Sequence, residues 1–272
     1  MRLPIETLDF DLVDDICLAV STGEVSPADL PSTRTQSLGA FLELSHVLPI
    51  ESSSQDWLKD NRFQPILDAK KNGKRCYQSG ALHLGFTRIE EFINDETSET
   101  DFYIKARRAV ALAGFRKAEA GQFVAAIVEL YSNVIEHSGS AAGAYVAFAA
   151  YENCFEFVVA DHGIGLLESL KSNSKYESIK DSGNALELAL TEGVSRHDGN
   201  SGRGRGFRPI FVGLANVSES LRFRSGDHGR ELKRLDDGRI PAVTRQKSEL
   251  PGFFCSVRCI SSRSANMGST QA

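Results

Sequence analysis

The stretch that most constrains this chain is Glu129-Leu130-Tyr131-Ser132-Asn133-Val134-Ile135-Glu136-His137. Phe123, Val124, Ile127, Val128, Tyr131, Val134 and Ile135 recur at three- and four-residue steps, so the segment reads as a helix with one apolar face. Glu129, Asn133, Glu136 and His137 fall at i, i+4, i+7 and i+8 and stack on a second, polar face. A carboxylate one turn before a carboxamide suits divalent-metal chemistry. The amide oxygen ligates a hard cation, and the carboxylate orients or deprotonates a water. Taken alone, the same spacing also fits a helix with a plain solvent face.

Two later stretches add weight to the chemical reading. Phe155 to Ala160 reads as a buried strand and ends in Asp161-His162-Gly163-Ile164-Gly165. Further on comes Gly202-Arg203-Gly204-Arg205-Gly206-Phe207, followed by an apolar helical run in which Pro209 takes an early helical position. Either glycine cluster alone marks an ordinary turn equally well. The ordered set of Glu-x-x-x-Asn on a helix, a strand into Asp-x-Gly-x-Gly, and then Gly-x-Gly-x-Gly is more specific.

That set resembles the ATP-binding domains of the GHKL superfamily, which groups gyrase, Hsp90, histidine kinases and MutL. Glu129 to His137 is similar to the N box, Asp161 to Gly165 to the G1 box, and Gly202 to Gly206 to the G2 box. Ala189 to Arg196 is similar to the stretch preceding the G2 box in anti-sigma-factor serine kinases, the closest branch in motif style. The resemblance implies an α+β fold of the Bergerat type: a sandwich with helices on one face of a mixed, mostly antiparallel sheet.

It also implies roles for ATP and Mg²⁺ as cofactors. Asp161 would accept from the adenine amino group, and Gly163 and Gly165 would let backbone approach the base. Asn133 would hold Mg²⁺, with Glu129 reaching the metal through a water. Gly202, Gly204 and Gly206 would form a lid whose N–H groups face the phosphates. Arg203 and Arg205 stand equally as phosphate contacts or as solvated lid residues. Glu136 and His137 continue the anti-sigma pattern, His137 either touching the phosphate–metal region or capping the helix.

Glu129 decides the reaction that the resemblance implies. A glutamate here activates water in the gyrase and Hsp90 branches, and the anti-sigma kinases share it. Most histidine kinases have asparagine instead, so a histidine kinase is disfavoured. Three readings stay open: an ATPase or ATP-driven conformational switch in a regulatory role, a protein serine kinase acting on a partner, and a nucleotide-gated binding module without turnover. A protein partner or a homodimer is expected in each.

Composition narrows the surroundings. The net charge is −5 and 25% of the residues are charged, with no basic footprint for nucleic acid at the whole-chain level. No apolar run reaches the ~18–20 residues that span a bilayer, and Met1 to Glu6 turns acidic without a leader-like apolar core. The five cysteines are odd in number and scattered, which fits a reduced, cytoplasmic protein.

Residues 1–93 read as a smaller N-terminal domain, helix-rich or mixed α/β, with helices expected from Glu6 to Val20, Ser32 to Leu44 and within Ser54 to Lys71. Arg75 to Phe86 reads as a strand. Within Ser45-His46-Val47-Leu48-Pro49 the histidine lacks the acidic neighbour of a phosphoaccepting histidine, so no autophosphorylation is expected. Asn94 to Asp101 reads as an acidic linker, and 102–262 as the ATP-binding domain, beginning with a helix from Phe102 to Ala120. Leu166 to Lys180 reads equally as a mobile cover over the nucleotide or a plain surface loop, Ser225 to Gly229 as a hairpin turn, and 263–272 as a disordered tail.

Overall fold

The computed structural model of the chain describes residues 6–30, 32–48, 58–59, 62–190, 213–215, 217–235, 238–239 and 241–261. The glycine lid residues Gly202, Arg203, Gly204, Arg205 and Gly206, Pro209 and the tail from 263 to 272 lie outside them, and of the helical run expected after Pro209 residues 213–215 are described, as helix. The first elements alternate strand and helix: β1 (Glu6–Leu8), α1 (Phe10–Ser21), β2 (Thr33–Thr35), α2 (Leu38–Val47) and β3 (Leu58–Lys59). Asp9 and Ser37 start the two helices by accepting from backbone N–H groups of their first turns. Strands β1, β2 and β3 pair in parallel, in that order, so the N-terminal segment is mixed α/β.

Next come α3 (Gln64–Asn72), closed by Gly73 in the left-handed region, and an antiparallel pair, β4 (Cys76–Gln78) and β5 (His83–Arg88). The run expected as one strand from Arg75 to Phe86 is thus two. After α4 (Ile89–Asn94), the acidic stretch read as a linker is helical: α5 spans Glu96–Leu112. Asp95 caps it by accepting from Thr97 N–H at 3.0 Å, and Glu96 and Glu99 lie in its first turn, where the helix dipole favours negative charge. The first helix of the expected ATP-binding domain therefore stops at Leu112 and not at Ala120. Gly114, at φ +91°, turns the chain, and α6 (Lys117–His137) starts anew. There Glu119 reaches back to accept from the Arg116 N–H at 2.6 Å.

The remaining elements are β6 (Tyr145–Tyr151), β7 (Cys154–Asp161), α7 (Gly165–Lys171), α8 (Ser182–Ala189), β8 (Ser220–Lys233) and β9 (Ala242–Ile260). Strands β6 and β7 are joined by the expected two-residue turn, with Asn153 at φ 59°. The principal sheet has six strands in the order β4-β5-β6-β7-β9-β8, every neighbouring pair antiparallel. The fold is α+β, and this sheet is uniform where a mixed one was expected.

Two further expectations fail for physical reasons. Ser225 to Gly229 is not a hairpin turn, because β8 runs through it and pairs with β9 on both sides. The glycine there serves a bulge: the register shifts between Ser225, Gly226 and His228, with Gly226 at φ +57°. Residues 165–171 form α7 instead of a loop, with Leu166, Ser169 and Leu170 on its buried side.

The sheet is covered on both faces, not one. Phe148, Phe155, Phe157, Val159, Cys255 and Val257 meet α5 to α8, with Phe102, Phe123, Ile127 and Leu130 opposite them. Alternate residues on the same strands, Tyr145, Ala147, Val158, Ala160 and Phe254, join a second core with Val13, Phe41, Leu44, Phe63 and Leu67 from α1 to α3. Double burial explains why β7 is an unbroken apolar run except for Glu156 and Asp161. The boundary expected near residue 93 therefore separates no core. The N-terminal segment is the second face of the sandwich, and β4 and β5 are strands of its sheet. Among the described residues no helix is long and apolar enough to cross a membrane.

Candidate functional site

Helix α6 buries Phe123, Ile127, Leu130 and Val134 against the sheet, which fixes the rotation of its polar face. That face is graded: Glu129 and Glu136 are exposed, whereas Asn133 and His137 are half-buried. The Asn133 side-chain nitrogen donates to the Glu129 carbonyl at 2.9 Å, so the amide oxygen is the atom left with ligand capacity.

The end of α6 meets the turn after β7. Ser138 is buried, and its carbonyl accepts from the Ile164 N–H at 2.9 Å. A Cβ on Gly163 would fall 2.1 Å from that carbonyl oxygen, so only glycine allows the turn to lie this close. Gly165 has φ +73°, and its position is crowded by the Ser225 hydroxyl and the Gly252 carbonyl. Ser225 ties these pieces together, accepting from the Leu166 N–H at 2.8 Å and donating to the Gly252 carbonyl at 2.9 Å. Both glycines of the Asp-x-Gly-x-Gly turn are thus used by the protein's own backbone contacts.

Asp161 ends β7 opposite Phe253 of β9 and is only 3% exposed. Burial pushes its carboxyl up to about 6, against the opposing effect of backbone N–H groups from Gly163 and Phe253. The Gly163 N–H donates to Asp161 Oδ1 at 2.7 Å. A carboxyl poised in this way, in a cleft, marks a candidate functional group.

The cleft is narrow, with a cavity volume of about 30 Å³, room for a water or two and well short of the ~300 Å³ of a preformed ligand pocket. One wall is α6, with Asn133, Val134, His137 and Ser138; Asp161 and Gly165 close the end. Leu166 and Ser169 of α7 and Phe253 of β9 complete it. The fold therefore brings together Asn133, His137, Asp161 and Gly165 from the sequence-derived set. Glu129, Glu136 and Gly163 stand outside the lining. Leu166, Ser169 and Phe253 were not anticipated, although Leu166 and Ser169 are three apart, a helical spacing that marks one face.

Behind the turn the N-terminal layer touches the site. His46 on α2 stacks on His162, with ring centroids 3.9 Å apart and planes 19° from parallel. Its Nε2 donates to the Pro251 carbonyl at 2.9 Å. Burial, and then the neighbouring His162, push the His46 imidazole down to about 3, so it is neutral across the physiological range. Its burial, 6% exposed, fits packing and not phosphoacceptance.

Among the described residues no group of three or more histidine, cysteine or acidic side chains is placed to hold a metal ion. The chain matches no protein-family model, no curated protein and no solved structure.

Proposed function

We propose that the cleft between α6, α7 and the end of β7 binds an adenine nucleotide with Mg²⁺, and that occupancy acts as a conformational switch on the N-terminal layer. In this reading the sheet and α5 to α8 form a Bergerat-type nucleotide-binding unit. The observation that carries it is the meeting of Asn133 and buried Asp161 in one cleft that Val134, Leu166 and Phe253 line with apolar side chains. The chemistry of these residues matches the groups in question, though a purine needs the cleft to widen: apolar side chains suit its faces, Asp161 supplies an acceptor for an exocyclic amine, and Asn133 supplies a hard oxygen. The metal would arrive with the phosphates and neutralise their charge, Asn133 contributing one ligand. By the resemblance the phosphate end would fall to Gly202 to Gly206, which lie outside the described residues. The switch aspect is supported by the His46–His162 stack, which joins α2 to the turn that presents Asp161.

Glu129 stands one turn before Asn133 on the solvent side, so the geometry favours binding more directly than turnover. Titration calorimetry with Mg-ATP tests the assignment: Asp161→Ala is expected to bind at least roughly tenfold more weakly, the loss of one charge-assisted hydrogen bond. Equal affinity would remove the adenine contact. Phosphate release by the parent chain beside Glu129→Ala then separates the two modes. Release that disappears in the variant assigns water positioning to Glu129, and none from either leaves a pure switch.

A further inference from the structure

We infer that the chain has a second ligand site, a notch under α5 that takes a small aromatic carboxylate, its ring inward and its charge on Arg108. The notch follows from strand register. Tyr77 of β4 lies opposite Gly85 of β5, and Gly85 lies opposite Phe148 of β6, so one row across the sheet reads ring, glycine, ring. Residues paired directly across strands share a face. A glycine between two rings leaves room about one side chain wide. Phe148 leans into part of it, since a Cβ on Gly85 would fall 2.1 Å from its ring.

Helix α5 covers the row with Ala109, buried and too small to fill what remains. The result is a cavity of about 180 Å³ that Tyr77, Phe148 and Ala109 line, with Leu112 exposed at its rim. An apolar cavity of ~150 Å³ accepts one benzene ring, so the space suits a single ring. It stays short of the ~300 Å³ of a larger ligand pocket. Aromatic side walls favour a ring there, stacked or edge-on.

The charge at the cavity is the independent observation. No acidic residue lines it, in a chain of net charge −5. Of its two long cations, Lys105 is already engaged: its ammonium pairs with Asp101 and sits 3.7 Å over the Tyr77 ring. Arg108 is exposed, and among the described residues no carboxylate pairs with it. Its neighbours three and four positions away on α5 are Ile104, Lys105, Ala111 and Leu112, so the helix supplies it no counter-charge. His83, two residues before Gly85 and so on the same face of β5, also lines the cavity. One free guanidinium matches one carboxylate, which it holds in a bidentate fork. A phosphate dianion would ask for a second cation, and Lys105 is spoken for by Asp101. The cavity shares no lining residue with the Asp161 cleft, so the inference does not rest on the nucleotide reading.

The test is a ligand-observed NMR titration of the full chain with benzoate, beside benzyl alcohol and acetate at matched ionic strength. Benzoate is expected to bind saturably at about 1 mM or tighter, benzyl alcohol more weakly, and acetate not over the same range. Arg108→Gln should weaken benzoate roughly tenfold and leave benzyl alcohol unchanged, because only the charge contact is lost. Ala109→Leu, which fills the notch, should remove both, and Asp161→Ala neither. Arg108 is exposed, so Arg108→Gln keeps the test readable if Ala109→Leu loses structure by circular dichroism. No saturable benzoate binding by the parent would overturn the inference. So would unchanged benzoate affinity in Arg108→Gln, acetate binding as tightly as benzoate, or a folded Ala109→Leu that binds benzoate like the parent.

Discussion

Glu43→Ala is expected to lower the stability of the whole sandwich by about 3–5 kcal/mol, the range for removing one partner of a buried ion pair. Glu43 is fully buried on α2 and accepts from Arg222 Nε at 2.6 Å, from Arg222 Nη2 at 2.8 Å and from Arg224 Nη1. Both arginines are on β8 and essentially unexposed. Asp14 of α1 joins them, accepting from Arg222 Nη2 at 2.5 Å, and Glu231 and Lys247 close the group. Burial works against the charge of Arg222, but Glu43 and Asp14 raise its affinity for the proton, so the guanidinium stays charged. Removing Glu43 leaves two carboxylates, Asp14 and Glu231, to balance Arg222, Arg224 and Lys247, and takes from Arg224 its fully buried partner. A fall of about 1 M or more in the urea midpoint should report it. Replacing Glu43, Arg222 and Arg224 together with Met, Leu and Met should cost less, because the fully buried charges leave together and Lys247 still faces Asp14 and Glu231, which are the less buried members. A drop of under about 1 kcal/mol for the single variant would mean that the group is hydrated.

That network also explains what the sequence hid. Glu43, Arg222 and Arg224 sit in stretches that read as amphipathic or turn-forming, and charges there suggest solvent. They are buried because a partner 179 residues away meets them, a separation that no local periodicity reports. For the same reason residues 1–93 look like a domain: their helices have apolar faces, but the surface those faces cover is strands β5, β6, β7 and β9. The acidic run at 94–101 misleads in another way. Acidic residues are natural at a helix start, so a capped N-terminus and a solvated linker have the same composition.

Local features were legible. The course of α6, the two-residue turn at Asn153 and the delivery of Asp161 by an apolar strand all follow from spacing and turn chemistry. The grouping of Asn133, His137 and Asp161 came from the resemblance and not from spacing, and the three line one cleft. Phe253 escaped because its place in the cleft depends on β9 pairing with β7 across most of the domain.

Asp161→Asn is expected to stabilise the fold while it disables the proposed nucleotide contact. The carboxyl ionises near 6 in the folded chain against an ordinary 3.8, so it is the unfolded chain that gives up its proton first as pH rises. Below about 3.8 the group is protonated in both states and carries no penalty. Between there and about 6 the folded state loses ground, and above 6 the full penalty, on the order of 3 kcal/mol, is present. Asparagine keeps an oxygen for the Gly163 N–H and carries no charge at any pH. Melting curves should therefore show the variant several degrees more stable at pH 8, at about 2–4 °C per kcal/mol for a chain of this size. The advantage should vanish near pH 4. Mg-ATP affinity should move the opposite way, weakened at least roughly tenfold at pH 8, where the parent carboxylate is ionised and the better acceptor. In the parent, affinity should decline as pH falls through about 6 and the carboxylate takes up its proton. Stability that drops in Asp161→Asn at pH 8 would show that the buried charge is held by more than two backbone N–H groups.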